Sequence, residues 1–536
     1  MSHPANPPHD VEAHAHVRAW WENRRLHATA LSLVLIAALA AYTGLGAAVA
    51  RPLWLDEIVG TLIATNRDGF WQGVVAGADF QPPLPYLLMR LSATVVGGAS
   101  PVAMRLPSVL AAVLAAVSLA SLLRRSLSLP ATLAAVLVLV AHPLFLSQAF
   151  EARPYALWIL ATLWTASALA SHHRARTLIA VLCAASLVAS HYFGVLSLAA
   201  IAVGGLVAGR LRAEPMRATA RTLAPLVGGG VAFVALLPLA MAQLAASAGR
   251  SWVPPVTGEQ ARAFLAFPWG WRPAAALMIV GAGVIVLRRF SRTVAQRLPA
   301  QTGAWRDPAV LALIATALVP LLVLAVSVLY KPVLVLRYAA PATLAIATLT
   351  ALAVECLPVA ARYVAVLLLV RALDFSFGSQ VAAARLEREQ VTADAHTVRA
   401  LADAGIPSVS PFRHDAYRLA RWDGDADVAW TELSDSLLAR ASHTSGDGLT
   451  RDFLLVERAF GRVVAATFRF PRATTVEAAR AQRRIALVRA AEHAASDTVW
   501  FPNRTFCAIN DRIVVASTAP DSCPPRLPAD QPTSRR

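Results

Sequence analysis

The sequence predicts a polytopic α-helical membrane protein that carries a small α+β domain at its C-terminal end. Three observations predict it. Of 536 residues, 57% are hydrophobic and the mean hydropathy is +0.54, above the roughly 45–50% apolar content of ordinary soluble domains. Apolar stretches of about 20 residues, nearly free of charge, recur through the first 375 residues, and each is long enough to cross a bilayer as a helix. Beyond residue 375 apolar residues thin out and charges of both signs mix.

Charge sharpens this reading. The formal net charge is +17, but it is unevenly held. Residues 1–375 contain 28 Lys+Arg against 13 Asp+Glu, whereas residues 376–536 contain 21 against 19. The excess sits in short loops between apolar segments. That is the positive-inside pattern of a membrane protein, not a nucleic-acid-binding face, so no nucleic-acid partner is expected. Membrane lipids are.

In chain order, residues 1–27 form a polar tail with Arg18, Arg24 and Arg25 and no cleavable leader, which places the N-terminus in the cytoplasm. Apolar runs then predict about eleven spans: 28–49, 102–123, 130–149, 154–171, 177–190, 192–209, 220–243, 274–288, 309–329, 338–356 and 360–375. Residues 28–375 make up the transmembrane domain, and 50–101 its first external loop. The run Leu84 to Val96, interrupted by Arg90, is too short to span and is expected to lie in the interface. Arginines at 124–125, 174–176, 210–221 and 288–306 mark cytoplasmic loops. Alternation puts the loop around Asp56, the Glu151 turn, the His191 turn, loop 244–273 and the turn Tyr330 to Tyr338 on the opposite face. Residues 376–523 follow there as an extracytoplasmic α+β domain. Helical spacing covers Ser379 to Ala404 and Thr475 to Ala494, and strand-like alternation covers Asp452 to Val456, Arg462 to Phe470 and Val499 to Ser517. The tail 524–536 is polar, Pro-rich and expected to be disordered. Cys507 and Cys523 are a candidate disulfide, which would need an oxidising compartment. Cys183 and Cys356 fall in apolar segments as buried thiols.

Four constellations can carry chemistry. Trp54-Leu55-Asp56-Glu57 places two carboxylates just outside the first span, where charge is costly unless it has a use. Partial withdrawal from water beside a second carboxylate raises a carboxyl pKa and makes a better general base. The plainer alternative is that the pair caps the helix that follows. Glu151-Ala152-Arg153-Pro154-Tyr155 ends the third span, with Glu151 and Arg153 able to pair and Pro154 suited to a helix start. His191-Tyr192-Phe193-Gly194 offers a histidine and aromatics at a helix end, suited to a sugar or phosphate or to the interface belt. Tyr330-Lys331-Pro332 through Arg337-Tyr338 puts the only lysine of the chain and an arginine on the face that usually lacks cations. They suit a phosphate, which Arg grips bidentately and Lys meets as a point charge. Asp423-Gly424-Asp425-Ala426-Asp427 lacks the Gly and Glu of a calcium loop and reads as a solvated turn. No metal site is expected. No cofactor is obligatory, although a divalent cation remains compatible with the acidic loop.

With these residues in view, the chain resembles the GT-C glycosyltransferases. The nearest group is the one containing protein O-mannosyltransferases, lipid A aminoarabinose transferases and rhizobial lipopolysaccharide galacturonosyltransferases (family 39/83-like). The resemblance rests on Trp54-Leu55-Asp56-Glu57, Gln81-Pro82-Pro83-Leu84-Pro85-Tyr86, Arg105-Leu106-Pro107-Ser108, Glu151 to Tyr155, His191-Tyr192 and Arg337-Tyr338, in that order. It covers about residues 28–375. It implies a GT-C-like fold, a sugar donor carried on a polyprenyl phosphate, an active site at the outer face of a bacterial inner membrane, and Asp56 as base. Gln81 departs from the family, where a charged residue or histidine often precedes the Pro-Pro pair.

The expectation is a transferase that moves a sugar to a hydroxyl of a glycan, lipid or protein. Asp56 and Glu57 are its catalytic candidates. Lys331, Arg337 and Tyr338 hold the donor phosphate, and Gln81, Tyr86, Glu151, Arg153, Tyr155, His191 and Tyr192 line the site. A transporter or flippase for the same lipid-linked sugar is the alternative, but it favours internal repeats and mid-membrane charges, which the sequence lacks. A non-catalytic envelope assembly protein is the third reading.

Overall fold

The computed structural model describes residues 46, 49–66, 69–75, 79–170, 175–246, 253, 255–290, 303–403, 408–410, 453–457, 462–466, 505–508 and 514–517. The chain divides into two units: Met1–Ala50 with Ile63–Ala382, and Arg51–Leu62 with Ala383–Arg536.

The first unit is helical throughout its described residues. Among the described residues five helices are long and apolar enough to cross a membrane: Pro101–Leu123, Gly194–Leu211, Met216–Ala246, Pro308–Leu329 and Val359–Glu389. Two bent pairs raise the number to seven when each counts as one span. Leu129–Ala141 and Pro143–Ala149 meet at 65°, and Gly258–Gly270 and Arg272–Leu287 at 75°. Expected spans at 154–171, 177–190 and 338–356 are apolar helices of 15, 15 and 14 residues: Tyr155–Leu169, Arg176–Ser190 and Ala342–Glu355. At about 1.5 Å per residue these reach a little over 20 Å, short of a hydrocarbon core about 30 Å thick. The expected span 28–49 lies almost wholly outside the described residues.

Local sequence explains the helix ends. Ser100 caps Pro101–Leu123 by accepting from the Ala103 N–H, with Pro101 at the first helical position, where a proline loses no hydrogen bond. The 13-residue helix Leu84–Val96 ends on Gly97 at φ 85°, a left-handed C-cap. Pro143 ends the straight run before it, so the bend at His142 is built into the sequence. The His142 imidazole spans the break: Nδ1 accepts from the Leu144 N–H, and Nε2 lies 2.8 Å from the Pro268 carbonyl beside the second bend.

Packing relies on small residues, as expected where lipid removes the hydrophobic drive between helices. Gly194–Leu211 lies on Pro308–Ala315 so closely that a Cβ at Gly204 would fall 2.5 Å from Ala312 Cα. Ala111, Ala112, Ala115 and Ala116 line the buried face of Pro101–Leu123. Leu129–Ala141 packs against Ala342–Glu355. At that end Glu355 and Arg362 pair at 2.6 Å, and Arg362 also bonds the Glu355 and Leu357 carbonyls and the Ser128 hydroxyl. Ser128 returns its N–H and hydroxyl to Glu355.

The second unit holds residues 51–62 and the chain beyond 382. One helix runs unbroken over 45 residues, Val359–Asp403, where the sequence suggested a span and a separate helix. The stretch between them, Asp374 to Arg388, contains no proline and keeps enough Ala, Leu, Arg and Glu to sustain helix through the change from apolar to charged. Five strands follow: β1 (Ser408–Ser410), β2 (Phe453–Glu457), β3 (Arg462–Ala466), β4 (Thr505–Ala508) and β5 (Val514–Ser517). They form one antiparallel sheet in the order β3-β2-β1-β5-β4. Cys523, Thr475 to Ala494, Asp423 to Asp427 and the tail 524–536 lie outside the described residues, and with Cys523 goes the candidate disulfide.

Candidate functional site

Several polar motifs of the first unit converge. Arg153 follows the helix Pro143–Ala149, and its guanidinium grips Asp79 with both nitrogens, Nη1 to Oδ2 at 2.7 Å and Nη2 to Oδ1 at 3.2 Å. Both side chains are largely buried. The Tyr86 hydroxyl donates to the same Asp79 oxygen at 2.8 Å, and the Ser108 hydroxyl donates to the Arg153 carbonyl. The sequence suggested Glu151 as the partner of Arg153. The structure gives Arg153 a bidentate bond to Asp79, 74 residues away, and joins it to Glu151 through the backbone.

Tyr155 is fully buried beside this pair. The guanidinium carbons of Arg153 and Arg337 lie 5.9 and 5.7 Å from its ring centre. Each is within cation–π range of one tyrosine. Arg337 reaches it from the short turn Leu336–Ala339, which packs against the helix Pro143–Ala149. Tyr338 lies 6.0 Å from Tyr155 and 5.5 Å from His191, and Phe193 5.0 Å from Tyr338.

His191 occupies the turn between the helices Arg176–Ser190 and Gly194–Leu211. Its ring stacks on Trp158 at 4.4 Å with 9° between planes. Nδ1 accepts from the Phe193 N–H at 3.0 Å, so the neutral ring carries its proton on Nε2. Burial holds the imidazole neutral, with Arg153 and Arg337 adding to the effect, and its pKa is pushed down to about 3. Among the described residues Nε2 has no partner in hydrogen-bond geometry, whereas the Tyr155 hydroxyl lies close enough to the Arg153 guanidinium to accept a hydrogen bond from it.

Gln243 holds the loop side of the cluster. It is completely buried in the helix Val227–Ala246. Its amide nitrogen donates to the carbonyls of Val74 and Gln81, and its oxygen accepts from the Tyr192 hydroxyl. Gln81 thus contributes its backbone to the frame, while its side-chain oxygen is buried with no partner among the described residues.

The remaining candidates fall elsewhere. Lys331 is half-buried just past the helix Val319–Leu329, with its N–H on the Val326 carbonyl. Among the described residues no hydrogen bond or ion pair of its side chain joins it to the cluster. Asp56 and Glu57 open the helix Leu55–Thr65, in the second unit. The buried Glu57 carboxylate accepts the Trp54 N–H at 3.1 Å, the N3-to-N-cap half of a capping box. That gives Glu57 a structural use, and Asp56 beside it is half-buried. Arg51, in the same unit, lies 3.8 Å from Glu387 of the long helix. Among the described residues no group of three His, Cys, Asp or Glu side chains is placed to hold a metal ion.

Sequence reasoning passed over Asp79 and Gln243. Asp79 stands one residue before Phe80 and two before the Gln-Pro-Pro motif, in plain view but with its partner far along the chain. Gln243 carried a readable signal, a lone amide in an apolar span, where polar groups are costly and used.

Residues 80–241 match the family model described as dolichyl-phosphate-mannose-protein mannosyltransferase. Two solved structures align with the chain. A crystal structure of ArnT from Cupriavidus metallidurans bound to undecaprenyl phosphate aligns with TM-score 0.50 and 14% identity, covering 92% of this chain and 99% of that one. ArnT from the same organism in the apo state aligns with TM-score 0.42 and 15% identity, over 76% and 72%. No protein of curated function matches the sequence. The chain shares the fold of ArnT and, with its several long apolar helices, is a multi-pass membrane protein.

Proposed function

We propose that the protein is a membrane glycosyltransferase that moves a sugar from a polyprenyl-phosphate donor to a hydroxyl of a glycan, lipid or protein. The observation that carries this reading is the pair of guanidinium groups within 6 Å of the Tyr155 ring, in a chain with the fold of a protein crystallised with undecaprenyl phosphate. Asp79 holds Arg153, so Arg337 is the cation of this corner suited to a phosphate. Stabilising negative charge on the departing lipid phosphate is the main electrostatic demand of this reaction. A phosphate leaves well without a general acid, so one base and one cationic site suffice.

In this reading Arg337 takes the phosphate, with Tyr338 beside it and Lys331 as an outer cation. Asp56 removes the proton from the acceptor hydroxyl, and Glu57 holds the turn that presents it. The hydroxyl oxygen bonds to the anomeric carbon as the bond to the phosphate oxygen breaks, and the pair of electrons leaves with the polyprenyl phosphate. In-line attack inverts the anomeric centre. About eleven spans thread residues 28–375 through a bacterial inner membrane with the N-terminus cytoplasmic, and the C-terminal α+β domain is extracytoplasmic.

The test uses the full chain in lipid nanodiscs and a strain lacking it. Asp56→Asn is expected to bind undecaprenyl phosphate as the wild type does, yet to leave the envelope glycan product absent by mass spectrometry. A variant that restores the product contradicts Asp56 as the base. A wild-type chain that fails to bind the lipid contradicts the transferase reading.

A further inference from the structure

The cluster holds two kinds of polar group. Arg153, Asp79 and Tyr86 satisfy one another. His191 differs. Its Nδ1 is committed to the Phe193 N–H, one face is covered by Trp158, and Tyr338 and Phe193 approach its other sides. What remains is a single N–H, on Nε2, buried and without an acceptor among the described residues. A buried donor left unpaired costs free energy that folding must offset, so its persistence calls for an occupant. The Tyr155 hydroxyl, on the neighbouring ring 5.4 Å away, accepts from Arg153 and keeps its own proton to donate.

The chemistry of these side chains selects the occupant. A phosphate calls for a cation, and the Arg337 guanidinium supplies it. His191 and Tyr155 are neutral, and they present a polar edge framed by aromatic rings. That combination suits the face and rim of a pyranose or furanose, with apolar C–H groups against rings and an oxygen toward a donor. We infer that the His191 Nε2–H, with the Tyr155 hydroxyl, recognises an acceptor oxygen on the transferred sugar and selects which lipid-linked sugar is used. The inference rests on the transferase reading and deepens it. The physical basis of selection is the unpaired donor itself: a sugar that presents an oxygen there fills it, and one that does not leaves it buried and unsatisfied.

The experiment measures binding to the folded full-length chain in nanodiscs. The probes are bare undecaprenyl phosphate and undecaprenyl phosphate bearing glucose, galactose, mannose or arabinose. The expected wild-type result is at least one sugar lipid bound about tenfold or more above the bare lipid. His191→Asn keeps an acceptor for the Phe193 N–H but withdraws the Nε2 donor, and it should erase that gain with bare-lipid affinity unchanged. His191→Gln extends an N–H back to the same place and should restore part of it. Tyr155→Phe should reduce the gain with bare-lipid affinity unchanged. A gain that survives in His191→Asn, or no gain for any sugar in the wild type, overturns the inference. An equal fall for bare and sugar-bearing lipid in His191→Asn also overturns it, since it makes His191 a phosphate ligand. Loss of bare-lipid binding by the wild type is the separate result that removes the transferase reading beneath it.

Discussion

Two buried arginine–carboxylate pairs stand at opposite ends of the bent helix pair Leu129–Ala149, and they are finished differently. At the Ser128 end, Glu355 and Arg362 close on each other, on Ser128 and on the Glu355 and Leu357 carbonyls. At the Arg153 end, the bond to Asp79 is as short and as buried, but beside it His191 Nε2 and the Tyr155 hydroxyl are left without acceptors among the described residues. Satisfied polar networks fix one arrangement of helices. A network with open donors is less stable than it could be, and the usual reason is that something else completes it. In the reading proposed above, the first end holds the fold and the second receives the ligand.

That contrast can be broken at several places. The largest effects fall on the ion pairs. Removing one partner of a buried pair strands the other charge, at about 3–5 kcal/mol. Glu355→Ala is expected to cost that much by thermal or denaturant unfolding, while the folded fraction binds undecaprenyl phosphate normally. Asp79→Ala should cost a similar amount and also weaken lipid binding, because it releases Arg153 and with it the wall of Tyr155. Equal behaviour of the two variants in lipid binding would erase the distinction between the ends.

Next comes Gln243→Leu. It removes three hydrogen bonds and leaves the Tyr192 hydroxyl and two carbonyls without their partner, at about 2–3 kcal/mol. It should also slow turnover, since the loop carrying Asp79 and the His191 turn both hang from that amide. A variant with reduced Tm and unaltered turnover would restrict Gln243 to holding the fold.

The pH dependence is smaller. His191 is neutral in the fold with a pKa near 3, against 6.5 in the unfolded chain. Between those values the unfolded chain binds the extra proton, so stability falls as pH drops below about 6.5 and is lost progressively toward 3. At pH 5 the contribution is on the order of 2 kcal/mol. His191→Gln should flatten that part of the Tm profile between pH 7 and 5, and an unchanged slope would contradict the buried neutral ring. The smallest effect is expected for Lys331→Gln: under about 0.5 kcal/mol in stability, with a loss of lipid affinity well below that of Arg337→Gln. The reverse order would move the phosphate site away from Tyr155.

Much of this was legible in the sequence, and the rest was hidden for identifiable reasons. The apolar runs located the long described helices, because membrane helices declare themselves by composition over a window as long as the element, but they missed Leu55–Thr65, Phe70–Val75 and Gly258–Ala266 inside the expected loops. Glu151 to Tyr155, His191-Tyr192 and Arg337-Tyr338 were each visible as polar or aromatic breaks in apolar surroundings, and the structure gathers Arg153, Tyr155, His191, Arg337 and Tyr338 into one cluster. The partner of Arg153 was not legible, since nothing local distinguishes Asp79 from Asp68 and the contact spans 74 residues. The Ser128–Glu355–Arg362 lock is equally non-local. Glu57 could have been assigned from spacing alone, three residues after Trp54. The change of composition near residue 376 suggested a break, yet the helix Val359–Asp403 continues through it because helix propensity outlasts hydrophobicity there.

The central claim is that the corner with open donors, not the closed one, receives the lipid-borne substrate. A structure of the full chain with undecaprenyl phosphate in a nanodisc tests it directly. The account predicts the phosphate within hydrogen-bond distance of the Arg337 guanidinium, beside Tyr155. A phosphate seated instead at the Ser128–Arg362 end, or away from both, would contradict it.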